Sequence, residues 1–115
     1  MDFAFSFDCQ LSFAELVDRL NAIGPWRWED ADSAWYGNLA RARTDALRLD
    51  LAESGPNEVP GGRFDAGNGQ RFCISVRWRG GAGSAVESEA LAARVRDVIL
   101  PRLGARGVQP TDTID

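Results

Sequence analysis

Residues 71–79, RFCISVRWR, alternate with a period of two. On an extended strand this puts Arg71, Arg77 and Arg79 on one side and Phe72, Ile74, Val76 and Trp78 on the other. Arginines at i and i+2 repel unless anions or acids lie among them. Such a face suits carboxylate or phosphate groups, because a guanidinium makes planar, bidentate contacts. The competing reading is a solvated sheet, with Arg48 on an adjacent strand and cross-strand acids such as Asp50 and Glu29 neutralising the arginines.

The segment 26–36, WRWEDADSAWY, carries Trp26, Trp28, Trp35 and Tyr36 with the acids Glu29, Asp30 and Asp32. Aromatics are enriched at protein interfaces, so the segment is a candidate interaction loop. Trp26, Trp28 and Trp35 serve equally as core residues, with Asp30 to Asp32 forming a turn. The segment lacks the complete D-x-D-x-D-G loop and distal glutamate of a calcium site, and no metal site is expected.

Gly80-Gly81-Ala82-Gly83-Ser84 leads from a strand to a helix, where backbone amides can cradle phosphate. Its glycine pattern is incomplete, and Glu87 and Glu89 would sit near the anion, so a plain connection is expected. By alternation Cys9 and Cys73 point to opposite faces and cannot pair. Cys73 falls among Arg71, Ser75 and Arg77, where neighbouring cations could lower its pKa and make it reactive. Asp2, Asp8, Glu15 and Asp18 have ordinary surface spacing and form no recognisable acid–base pair.

The remaining chemistry is limited by composition. All 13 basic residues are arginine, and the 115-residue chain contains no histidine and no lysine. That excludes a Ser-His-Asp triad, a histidine-ligated zinc, a Schiff-base lysine and a P-loop lysine. Two cysteines cannot make a four-cysteine metal site. No catalytic set can be assembled, and no cofactor is expected. The net charge of −4 is uneven. Residues 1–60 hold five arginines against eleven acids, a balance of −6; residues 61–115 hold eight against six, a balance of +2. A net acidic chain is a poor general binder of nucleic acid.

The elements that must position these residues follow from periodicity. Phe3, Phe5, Phe7 and Cys9 alternate with smaller or polar residues and predict a strand. Ser12 and Glu15 match a capping box, and Phe13, Leu16, Val17, Leu20 and Ile23 give a helical stripe that Gly24-Pro25 stops. Residues 26–53 predict three short strands: one around Trp26 and Trp28, one over 34–42 with Gly37 as a possible bulge site, and one over 46–52 with Leu47, Leu49 and Leu51 inward. Arg43-Thr44-Asp45 is a tight connection, and Arg48 and Asp50 point outward. Helix over 38–52 is the alternative, since Ala, Leu and Arg favour it.

Residues 54–69 form a long Gly- and Pro-rich loop, a candidate lid. Strand 71–79 follows, then a helix over 85–100 with Leu91, Val95, Val98 and Ile99 inward, a second capping box at Ser84 and Glu87, and Pro101 as its end or kink. The tail 108–115 either adds a short edge segment or frays.

The order β-α-β-β-β-β-α over residues 1–115 predicts one α+β domain, a two-layer sandwich with a mainly antiparallel sheet of about five strands and two helices on one face. The layer arrangement loosely resembles ferredoxin-like architectures with an extra strand, a likeness that implies no activity. MDFAFSFDCQ has no basic region and does not read as a signal peptide, and no stretch is apolar over the roughly 20 residues of a membrane span. The expectation is a cytoplasmic interaction protein of the immunity-inhibitor, adaptor or regulatory type. It would bind a protein through an open sheet face bearing Arg71, Arg77 and Arg79, and through Glu29, Asp30, Asp32, Trp35 and Tyr36. A domain that binds an anionic small molecule, or a minor enzyme, using the same arginines, and self-association through the open sheet or its edges, are the other readings.

Overall fold

The structure is a computed structural model that describes residues 2–31, 38–53, 72–81, 84–111 and 113. Strand β1 (Phe3–Asp8) leads to helix α1 (Phe13–Ile23), then β2 (Glu29–Ala31), β3 (Asn38–Arg43), β4 (Leu47–Glu53) and β5 (Phe72–Trp78). A short 3-10 turn (Arg79–Gly81) precedes helix α2 (Ala85–Arg94), a π-helical turn (Val95–Ile99), helix α3 (Leu100–Leu103) and β6 (Arg106–Thr111). Among the described residues the six strands form one sheet in the order β2-β3-β4-β5-β1-β6, and each neighbouring pair is antiparallel. The α+β sandwich is as expected, with a sixth strand. That strand comes from the C-terminal segment expected to pair at an edge or fray; Ser6 pairs with Gln109 and Phe5 with Pro110.

The core lies between one sheet face and the helices. Phe5, Phe7, Leu49, Leu51, Phe72, Ile74 and Val76 meet Leu16 and Leu20 of α1 and Val95, Ile99, Leu100 and Leu103 of the second helical run. Phe7 and Phe72 are cross-strand partners whose rings stack at 5.6 Å. These are the alternating positions expected to point inward. The helical alternative for 38–52 is replaced by β3 and β4, because strict alternation lets Ala40, Ala42, Leu49 and Leu51 bury together.

Local chemistry sets the boundaries. Ser12 Oγ accepts the N–H of Glu15 at 3.2 Å, and Glu15 Oε1 accepts the N–H of Ser12 at 3.1 Å, so the first capping box is complete. These bonds to Ser12 hold the Glu15 carboxyl below its usual range. Trp26 and Trp28 lie outside a strand, which corrects the expected position of β2. Asn21 takes both backbone groups of Trp28, accepting its N–H at 2.6 Å and donating to its carbonyl at 3.2 Å, so the chain enters β2 one residue later. Trp28 is buried, as its core reading expects. Of the expected strand 34–42, the described part begins at Asn38; Gly37 and the expected loop 54–69 lie outside the described residues.

The helical run does not end at Leu100. Pro101 has no N–H to donate, and the ladder widens ahead of it: the N–H of Leu100 reaches back to the carbonyl of Val95. The run then stops at Gly104, which is left-handed at φ 75°, with Gly104 N–H to Pro101 O and Ala105 N–H to Leu100 O both at 3.1 Å. The extra residue of the π turn shifts the phase of the helical face, so Val98 is exposed and Leu100 and Leu103 fill the core instead.

The second sheet face corrects the expectation of an open, solvated surface. Ala4, Leu39, Ala52 and Cys73 form a separate buried cluster there, and Ser6, Asp50 and Ser75 are buried beside it. The buried carboxylate of Asp50 keeps its hydrogen-bond partners there, as buried polar groups generally do. Among the described residues no helix is long and apolar enough to cross a membrane.

Candidate functional site

The second face has a regular grid. Arg43, Arg48 and Arg77 occupy one row across β3, β4 and β5, each in register with the next. The adjacent row holds Glu29, Arg41, Asp50 and Ser75 across β2 to β5. The β3–β4 turn fixes this register. Thr44 Oγ1 accepts the N–H groups of Ala46 and Leu47 at 3.2 and 3.0 Å, and the Thr44 N–H returns to the Leu47 carbonyl at 2.9 Å.

Asp50 is the centre of the grid. Its side chain is fully excluded from solvent, whereas those of Arg41 and Arg48 are 25% and 29% exposed. Arg41 Nε donates to Oδ1 at 2.6 Å and Arg48 Nε to Oδ2 at 2.9 Å, so each carboxylate oxygen takes one arginine. A buried carboxylate needs this pairing, because desolvation without it costs several kcal/mol. Asp50, expected outward on a solvated strand, is instead a buried anchor. It pairs with both Arg41 and Arg48, and Arg77 draws on Asp2, whose Oδ2 lies 3.5 Å from its Nε. Asp2 also accepts the N–H of Trp78 at 2.9 Å.

The expected site residues separate. Arg77 is on the grid and half-exposed. Arg79 is not: it opens the 3-10 turn beyond β5, and its Nη1 donates to the Thr44 carbonyl at 2.8 Å. Its expected place on the strand is corrected because the ladder ends at Trp78. Glu29 and Asp30 are exposed on β2, and Glu29 is the register partner of Arg41. Arg71, Asp32, Trp35 and Tyr36 lie outside the described residues.

Of the grid residues, Arg41, Arg43, Arg48, Asp50 and Ser75 are not among the expected site residues, and Arg41 and Arg43 do not figure in the sequence reading of a charged face at all. Their i, i+2 spacing in NLARAR is the same signal that marks Arg77 and Arg79, but in sequence Arg43 reads as part of the turn. The side chain of Arg43 is exposed and makes no hydrogen bond or ion pair among the described residues. A groove of about 430 Å³ runs beside it, lined by Arg27, Glu29, Asp30, Ala31, Arg41 and Arg43.

Cys73 lacks the exposure and the lowered pKa that mark a reactive thiol. It is buried on the second face, and burial first, then the charge of Asp50, push its pKa up to about 12. Cys9 is on the other face, as expected, and its thiol donates to the Leu103 carbonyl at 3.1 Å. Both cysteines are free. At the glycine-rich connection, Ser84 Oγ caps α2 by accepting the Glu87 N–H at 3.1 Å; Ala82 and Gly83 lie outside the described residues.

No family model matches the chain, and no curated protein or solved structure matches it either. Fold and site together define it by architecture: an antiparallel α+β sandwich whose second face carries an arginine grid around one buried carboxylate.

Proposed function

We propose that the protein is a small non-catalytic interaction module, of the immunity-inhibitor, adaptor or regulatory-subunit kind, that docks an acidic protein surface on the arginine-bearing part of its second sheet face. The observation that carries this reading is the row Arg43, Arg48 and Arg77 on three adjacent strands. Like charges directly opposite destabilise a sheet, and carboxylates of a partner would offset that cost. Glu29 and Asp30, exposed on the neighbouring edge strand, repel a partner placed in the wrong orientation. The aromatic-acidic segment that continues from β2, with Asp32, Trp35 and Tyr36, supplies the second part of the surface on the strength of its composition. Two free cysteines suit a reducing compartment such as the cytoplasm.

The test is capture from native extract on the immobilised protein and on a variant with Arg43, Arg48 and Arg77 changed to Gln. A protein retained by the first and lost on the second is the expected result. Identical retention on both defeats the reading.

The groove of about 430 Å³ favours a second reading, an anionic small ligand, since it falls in the size range of ligand pockets. A thermal-shift screen against phosphorylated and carboxylated metabolites separates the two, because a specific ligand raises stability by mass action.

A further inference from the structure

We infer that Asp50 builds an oxyanion receptor from Arg41, Arg48 and Arg43, and that its occupant is the side-chain carboxylate of an aspartate or glutamate in an acidic segment of the partner; the inference rests on the interaction reading above. Asp50 engages both Arg41 and Arg48 through Nε. Among the described residues neither guanidinium makes another hydrogen bond. An arginine has five N–H donors, and four of them sit on the two η nitrogens. The buried carboxylate therefore fixes two guanidinium groups by their inner edges and leaves their outer edges undonated.

Both side chains remain partly open to solvent, Arg41 at 25% and Arg48 at 29% exposure. Arg43 extends the set. It is in register with Arg48, lies two residues from Arg41 on the same side of β3, and lines the groove with Arg41. Arg27, Arg41, Arg43 and Arg48 against Asp50, Glu29 and Asp30 leave one positive charge in excess around the groove. One more carboxylate balances that excess, and planar guanidinium edges match its two oxygens. Glu29 and Asp30 line the same groove. Their field penalises a dianionic phosphate more than a single carboxylate, which sets the charge class of the occupant. Asp50 holds Arg41 and Arg48 before the ligand arrives, so those two side chains lose little rotamer freedom on binding, and Arg43 is the one that must be ordered.

The experiment is a titration of the whole protein with a hexaglutamate peptide, with inorganic phosphate and with free citrate, followed through the Nε–Hε signals of the arginines. The peptide is expected to shift Arg41, Arg43 and Arg48 and leave Arg96, ion-paired with Asp97 on the π turn, in place. Arg43→Gln, a change at an exposed residue that should not affect folding, is expected to weaken the peptide roughly tenfold. Arg96→Gln is expected to leave its affinity unchanged. Shifts with phosphate or citrate but none with peptide would overturn the peptide carboxylate as occupant. Peptide binding that Arg43→Gln leaves intact would overturn the receptor while the interaction reading stood. Silence of all three arginines with every probe would overturn the receptor outright.

Discussion

Arg43 and Arg48 are cross-strand partners, two guanidinium side chains in register on the same face of the sheet. Only Arg48 has the carboxylate of Asp50 to answer its charge; Arg43 has no such contact among the described residues. Arg43→Gln is therefore expected to leave stability unchanged or to raise it by up to about 0.5 kcal/mol, with the gain shrinking as salt screens the repulsion. Urea denaturation at low and high ionic strength checks this. A clear loss of stability at both would mean that Arg43 holds the fold.

Asp50 is the opposite case. Removing its charge while keeping its shape leaves Arg41 and Arg48 without their anion. Asp50→Asn is expected to destabilise by about 2–3 kcal/mol, below the cost of breaking a fully buried pair because both guanidiniums reach solvent. Denaturant midpoints of Asp50→Asn, Arg48→Gln and the double variant form the check. The double variant should lose less than the sum of the single ones, since the two changes remove one shared interaction.

Cys73 gives the pH dependence. Its ordinary value is 9.0 and burial raises it to about 12, so the folded state keeps the proton that the unfolded state releases. Stability from this group is complete below the ordinary value and is lost as pH rises from 9.0 through about 12. At pH 8 iodoacetamide should spare Cys73 in the native protein and label it in urea. Rapid native labelling would contradict the burial.

The Trp78 indole donates to Ser88 Oγ at 2.7 Å, tying β5 to α2 through a hydroxyl that is buried. Ser88→Ala leaves the indole N–H without that acceptor and is expected to cost about 1–3 kcal/mol. Thermal unfolding of the variant measures it, and an unchanged midpoint would show that another acceptor replaces the serine.

Much of this architecture is legible from periodicity. Phe3, Phe5 and Phe7, Leu47, Leu49 and Leu51, and Phe72, Ile74 and Val76 each announce a strand with one buried face, and Ser12 with Glu15 announces a helix start. Burial of the second face is not legible in the same way. Ala4, Ala52, Cys73 and Ser75 look merely small or polar in sequence, and their exclusion from water depends on what lies beside them in three dimensions. Asp50 reads as outward and is outward in alternation, but a position on the polar face says nothing about depth. Arg77 stands out because its strand alternates cleanly. Arg43 does not, because the turn after it obscures the same spacing; Pro101, expected to end or kink the helix, does not end it but follows a π turn that breaks the regular ladder.

The arginine face as an acidic-partner surface is tested most directly by one dissociation constant, that of the hexaglutamate peptide, measured by calorimetry on the wild-type protein and on the variant with Arg43, Arg48 and Arg77 changed to Gln. Saturable binding to the wild-type protein, weakened by well over about tenfold in the variant, is the expected result. Equal affinity for the two proteins, or no binding to either, contradicts it.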